Sequence, residues 1–237
     1  MKKPLVPLLC VLAAVGIAYA VHLVFYGTPL EYSFNEAGKL NGSSLFFNYK
    51  IFYFHVAHAF CLFAAVFVSG VASIGYLKYR KDVWDDVARA ANDVAVPFGA
   101  VVLLSGSIWA KAAWDKWWQW EPRLTMSLLL WLVLVGYVLV RKFAGAGSER
   151  IAAGMSIFGM VGVPFIYTMV GQDSHPASGA NGVLLNLGTR LLPAALASIA
   201  TFFFWYIALV VARVQSTRDE RELRELREQA LDLGVLE

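Results

Sequence analysis

Six apolar runs, each near or beyond the roughly 20 residues a helix needs to cross a bilayer, take up most of this 237-residue chain. They cover approximately residues 5–26, 51–76, 87–109, 124–140, 151–170 and 191–212. Few charges interrupt them. A backbone in lipid has no water to bond its N–H and C=O groups, so each run must satisfy them within itself, and a helix does this. Composition agrees, with 59% of residues hydrophobic and 16% charged, where a soluble domain carries nearer a quarter. The expected fold is an all-α integral membrane protein of six transmembrane helices. The spacing of the runs leaves no room for a separate soluble domain.

Lysine and arginine set the expected orientation. One alternate set of connections carries fourteen of them, including Lys78, Arg80, Lys81, Arg141, Lys142, Arg150 and the arginines from Arg213 to Arg227; the other set carries six. Both termini are therefore expected on the cytoplasmic side. The connection between the third and fourth spans, and that between the fifth and sixth, fall on the outer, periplasm-like face. Lys2, Lys3 and Ala18-Tyr19-Ala20 resemble a secretory signal with its cleavage site. The apolar run continues unbroken through Tyr26, which favours an uncleaved helix. Residues 1–212 are read as a six-helix transmembrane unit. Residues 213–237, with Arg221-Glu-Leu-Arg-Glu-Leu-Arg-Glu, are read as a charged cytoplasmic helical tail with Leu223, Leu226 and Ala230 on one narrow face.

The most unusual stretch is 109–125. Five of the eight tryptophans fall between Trp109 and Trp120, followed by Glu121, Pro122 and Arg123. Tryptophans collect at bilayer interfaces as belts, but a belt spreads over all helix ends. Five in one short connection suit a flat aromatic surface for a large planar hydrophobic ligand. Arg123 can fork onto a carboxylate at such a ligand's edge. Glu121 and Pro122 read as the cap and first turn of the fourth helix.

All four histidines lie toward the same expected face. His55, about a turn into the second apolar run, is an ionisable side chain inside a span, where such residues face the bundle interior with a partner or ligand. His58, three residues on, shares its face and reads best as a packed polar residue. His175, in the loop of residues 171–190, precedes Pro176, which restricts its backbone. Two neutral imidazoles reaching one face from different segments can hold a six-coordinate haem iron. Cys10 and Cys61 sit in different spans, and no Cys-x-x-Cys-His motif marks covalent haem attachment. No nucleophile or acid–base pair suggests bond-making catalysis, and no nucleic-acid partner is expected.

Trp117-Trp118-Gln-Trp120-Glu121-Pro122-Arg123-Leu124-Thr125 resembles the tryptophan-rich WWD signature of the haem-handling superfamily of cytochrome c assembly, which includes the CcmC, CcmF and CcsA branches. The preceding run from Ser105 to Trp114 is similar to the family's approach to that motif. Tyr53-Phe-His55-Val resembles the histidine motif of the CcmC branch, and six spans match that branch better than the larger ones. The likeness covers roughly residues 45–212. Glu121 stands where the family has aspartate, Ala57 where it has proline, and Asp115-Lys116 in a stretch where it often has glycine.

The resemblance implies a multi-pass protein of the bacterial inner membrane that binds haem b as cargo at the periplasmic face. His55 and His175 would be its axial ligands, with Trp114, Trp117, Trp118, Trp120, Glu121 and Arg123 completing the haem-binding surface. It further implies delivery to a periplasmic haem chaperone of the CcmE type. An ATP-binding cassette complex of the CcmA and CcmB type and a small CcmD-type membrane protein would be the other partners. Two other classes stay open on the residues alone: a haem-b membrane subunit of a quinone-linked redox complex, and a structural membrane subunit anchored by its tryptophans.

Overall fold

A computed structural model describes residues 5–28, 45–145, 147–168 and 191–235. Six helices follow one another: α1 (Leu5–His22), α2 (Leu45–Tyr79), α3 (Asp82–Trp114), α4 (Pro122–Phe143), α5 (Ser148–Thr168) and α6 (Leu192–Asp232). All six are long and apolar enough to cross a membrane, and the described residues contain no strand. A π-helical turn, Leu23–Gly27, extends α1. Three helices, α2, α3 and α6, run well beyond their apolar runs, with 35, 33 and 41 residues. At 1.5 Å per residue they are about 52, 50 and 61 Å long, against a hydrocarbon core of about 30 Å, so all three project from it.

The main core draws on five helices. Ala57, Cys61, Leu62, Ala65 and Val66 of α2 meet Val94, Ala95 and Phe98 of α3, Leu130 and Leu134 of α4, Val163 and Ile166 of α5, and Phe202 and Tyr206 of α6. Lipid tails are as apolar as leucine, so burial alone does not bring such helices together; close packing and interhelical hydrogen bonds do. Both are present. Gly99 lies against Trp131, whose Nε1 donates to the Val96 carbonyl at 2.9 Å. Ser69 Oγ donates to the Ala88 carbonyl at 3.0 Å and sits 3.0 Å from Ser156 Oγ, joining α2, α3 and α5. Fully buried Asn92 donates through Nδ2 to the Leu134 carbonyl at 3.1 Å. By contrast α1 packs mainly on α6, where Thr201 rests on Gly16. It leaves Leu8, Val11 and Val15 exposed, a face suited to lipid.

The chain direction alternates, and the two ends of the bundle differ. At one end Arg80, in the left-handed region (φ 54), turns α2 into α3 and bonds its N–H to the Tyr76 carbonyl at 2.9 Å. Asp82 and Asp85 then fill the first turn of α3, where the helix dipole favours negative charge. Arginines from other helices converge on the stretch of α3 from Asp82 to Asp93. Arg141 of α4 reaches Asp85 at 2.7 Å and Glu149 of α5 at 3.1 Å. Arg213 reaches Asp93 at 2.7 Å, and Arg221 bonds both Asp82 (2.9 Å) and Asp86. The first part of the charged tail is thus clamped to α3, and the segment beyond it leaves Leu223 and Leu226 exposed.

At the other end a second cluster gathers Val24, Phe52, Tyr53, Trp109, Ala194 and Ala195. It joins the end of α1, the start of α2, the end of α3 and the start of α6. Lys50 is buried here, donating to the Val24 carbonyl, to Thr28 Oγ1 and to the Thr28 carbonyl (3.1 Å). Its ammonium satisfies carbonyls that the end of the first helix leaves without helical partners.

Candidate functional site

The end of the bundle defined by Val24 and Trp109 also carries the candidate ligand and the tryptophan segment. His55 lies about 15 Å along α2 from Leu45 at 1.5 Å per residue, deeper in its helix than the apolar run suggests. Asn48 and Lys50 break that run, yet the helix continues through them to Leu45. The imidazole is 9% exposed and faces α3. Its Nδ1 is 2.9 Å from Ser105 Oγ, and its ring meets Trp109 edge-on, with centroids 5.9 Å apart at 74°. A Cβ on Gly106 would come within 3.1 Å of His55 Cε1, so glycine leaves the room the ring occupies.

His58 is held differently. Its Nδ1 is 2.7 Å from the Phe54 carbonyl, and its ring is wedged between Phe98 (5.2 Å) and Phe202 (4.4 Å). A ring packed on two faces by phenylalanines supports the reading of a packed polar residue. His22 stacks on Tyr26 at 5.2 Å.

The tryptophan segment begins where α3 stops. Asp115 is the residue past Trp114, in the left-handed region (φ 57, ψ 23), and its N–H bonds the Lys111 carbonyl at 3.0 Å. Glycine is the usual residue for this helix-ending conformation, and aspartate is among the few others that adopt it. Asp115 thus makes a turn more often made by glycine. Lys111 bonds its side chain and holds the exposed carboxyl below the usual carboxylate range. Residues 116–121 are extended or bent, and α4 restarts with Glu121 as N-cap (φ −87, ψ 156) and Pro122 at the first helical position. That is the start the sequence predicts.

Within the segment the rings divide. Trp117 and Trp120 are 60% and 77% exposed, large apolar areas to leave in the open. Trp118 is half-buried and meets Trp120 edge to face, centroids 5.8 Å apart at 75°. Those two rings share no plane, so a flat ligand can stack on Trp120 or Trp118 but not on both. The Trp118 Nε1 is buried with no hydrogen-bond partner among the described residues, a donor left to satisfy. Arg123 follows Pro122 in the first turn of α4, at the same end of the bundle as His55.

One aromatic-lined end therefore brings together His55, Trp109, Trp118, Trp120 and Arg123. A planar ligand with an acidic edge fits these donors: an imidazole for a metal, exposed indoles for a ring system, and an orphaned N–H with a guanidinium for carboxylates. Trp114 closes α3, and its side chain lies outside the described residues, as does all of His175. Ser105 and Gly106 were not legible as site residues from the sequence, because a serine and a glycine inside an apolar run read as packing and their partner is fifty positions away.

Comparison with known proteins identifies the family of the chain. The family model for CcmC, heme exporter protein C, matches residues 1–229. Heme exporter protein C of Bradyrhizobium diazoefficiens is 28% identical over 182 residues, covering 75% of this chain and 69% of that protein. The protein of the same name from Paracoccus denitrificans is 27% identical over 184 residues, 75% and 76% of the two chains. That of Escherichia coli K12 is 32% identical over 151 residues, 59% of this chain and 56% of the relative. With six helices able to span a membrane and a match along nearly its whole length, this chain belongs to the heme exporter protein C family.

Proposed function

We propose that the chain binds haem b at the periplasmic face of a bacterial inner membrane and presents it to a periplasmic haem chaperone of the CcmE type. Membership of the family supports haem handling in cytochrome c maturation, and delivery rather than catalysis. The observation that carries the reading to particular residues is the enclosure of His55 by Ser105, Gly106 and Trp109 on the stretch of α3 that leads into the tryptophan segment. An ionisable ring so placed in a span calls for a ligand or partner.

His55 supplies one axial bond to the iron and His175 the other. Trp114, Trp117, Trp118 and Trp120 bear on the macrocycle, and Arg123 holds a propionate in a bidentate grip. Glu121 sets the start of α4, and so the place of Arg123. The lysine and arginine asymmetry supports cytoplasmic termini and an outer tryptophan segment. The cassette proteins of the CcmA and CcmB type and a small CcmD-type protein complete the proposed assembly.

The test is purification of the full-length chain in detergent, with haem content and absorption spectrum recorded alone and with the candidate chaperone. His55→Ala and His175→Ala are each expected to lower bound haem or convert a six-coordinate spectrum to a five-coordinate one, with His58→Ala near wild type. Equal loss at His58 moves the ligand to that residue. Rapid reduction of the bound haem by quinol would favour the redox-subunit reading instead.

A further inference from the structure

The hydrogen bonds around Ser105 determine more than the orientation of His55. Ser105 Oγ lies 2.6 Å from the Val101 carbonyl oxygen and 3.3 Å from that of Val102. A hydroxyl has one proton, and carbonyls only accept. The short bond to Val101 takes that proton. Toward His55, 2.9 Å away, Ser105 Oγ can then offer only a lone pair, so the His55 Nδ1 carries the hydrogen and donates it. A neutral imidazole protonated at Nδ1 has its free lone pair on Nε2. Gly106 completes the arrangement, since a Cβ there would come within 3.1 Å of Cε1 and make the ring shift by a few tenths of an ångström from the place where it meets Ser105.

We infer that Ser105 is a positioning residue that fixes His55 in the tautomer offering Nε2 to the haem iron. The inference rests on the reading of His55 as an axial ligand. Hydrogen bonds to the far nitrogen of a ligating histidine set its orientation and raise its basicity, and losing one typically lowers metal affinity on the order of 10–100-fold. A more basic imidazole favours ferric over ferrous iron, so Ser105 also holds the haem reduction potential down.

The experiment titrates the purified full-length chain with ferric haem, following absorbance, and measures the reduction potential of the complex. Ser105→Ala is expected to weaken haem binding by about tenfold, the lower end of that range, and to shift the potential upward. Ser105→Thr, which keeps the hydroxyl, restores both. If the alanine variant does not accumulate, Ser105→Cys, a weaker acceptor of similar shape, reads the same way. His55→Ala separates the two ideas. Unchanged binding in His55→Ala removes the ligand reading and the inference with it. Loss in His55→Ala, with wild-type affinity and potential in Ser105→Ala, leaves the ligand reading standing and overturns the inference.

Discussion

The two ends of this bundle are held together by different physics. At the end where α2 turns into α3, Asp82, Asp85, Asp86 and Asp93 receive arginines from α4 and α6. Arg218 stands 3.7 Å from Asp86, and Arg89 reaches Glu220 at 3.5 Å. Charges at that density fix the helices' relative positions. At the opposite end the contacts are aromatic: Phe52 on Trp109 at 6.1 Å, His55 on Trp109, and Trp118 on Trp120. The ion pair recorded there, Lys111 with Asp115, is on the surface. One end is tied shut; the other exposes indole faces and holds a buried N–H with no partner among the described residues. The haem-delivery function proposed above would separate rigidity from the binding surface in this way.

The largest expected effect comes from stripping the open end. Changing Trp117, Trp118 and Trp120 together to alanine should leave the protein in the membrane and abolish haem transfer to the chaperone, measured as haem on the recovered chaperone. The crossed rings of Trp118 and Trp120 make the single changes unequal. Trp120→Ala removes the most exposed face and should impair transfer most, because stacking depends on ring area and orientation. Trp118→Phe keeps an aromatic ring but loses the unsatisfied Nε1 and part of the indole's area, so it should weaken binding less than Trp118→Ala. Equal, mild effects at all three positions would reduce the segment to a membrane anchor.

The tied end should respond in stability and not in cargo. Arg141 and Asp85 are about nine-tenths buried, and removing one partner leaves the other charge unpaired, at a cost of about 3–5 kcal/mol. Arg141→Ala also exposes Asp85 to the nearby negative charges of Glu149 and Asp86. For a chain of this size that is a fall in thermal midpoint on the order of 10 °C, with haem bound per folded molecule unchanged. A loss of haem affinity in proportion to stability would mean that the two ends are coupled and the contrast between them false.

How much of this could be read in the sequence follows from the same contrast. The six spans were legible because apolar length is a local property. Glu121-Pro122 announced the start of α4 because proline at a first helical position is also local. The arginine clamps were not, since each cation on a connection has several carboxylates within reach and only the packing chooses. The start of α2 was missed because Asn48 and Lys50 read as polar, whereas Lys50 is buried against the carbonyls that end the first helix. His55 stood out as a titratable ring in a span, but Ser105 did not. A helical serine usually bonds its own preceding turn, and Ser105 does so while also serving His55. That second contact exists only after α2 and α3 have packed.

An intermediate effect is expected at Arg123, in the first turn of α4 at the open end. Arg123→Ala should lower haem binding and transfer, and Arg123→Lys should restore them only in part, because an ammonium lacks the planar fork that matches a carboxylate. Haem with esterified propionates is the sharper probe: it should bind wild type and Arg123→Ala alike. A continued difference between the two proteins with the esterified haem would assign Arg123 to the structure of the segment and not to the ligand.

The smallest effect is expected at Asp115, where the open end is shaped by backbone and not by side-chain chemistry. The residue sits at φ 57 because α3 must stop and the chain must turn toward Trp117. Glycine adopts that conformation without a Cβ penalty, so Asp115→Gly should keep the turn and lose only the Lys111 pair. Haem binding should stay within about twofold of wild type, as for surface changes that disturb no packed feature. The pair's own signature is in its pH dependence. Lys111 lowers the Asp115 pKa in the folded protein, so the stabilisation is present above the ordinary aspartate value and is lost as pH falls through the lowered one. Asp115→Gly should erase that acid-side loss while leaving neutral-pH behaviour intact. Asp115→Val is the opposing control, since a β-branched residue at positive φ is a backbone outlier and should disturb the tryptophan segment. If valine is tolerated as well as glycine, the left-handed turn at Asp115 is not what sets the direction of the chain into the tryptophan segment.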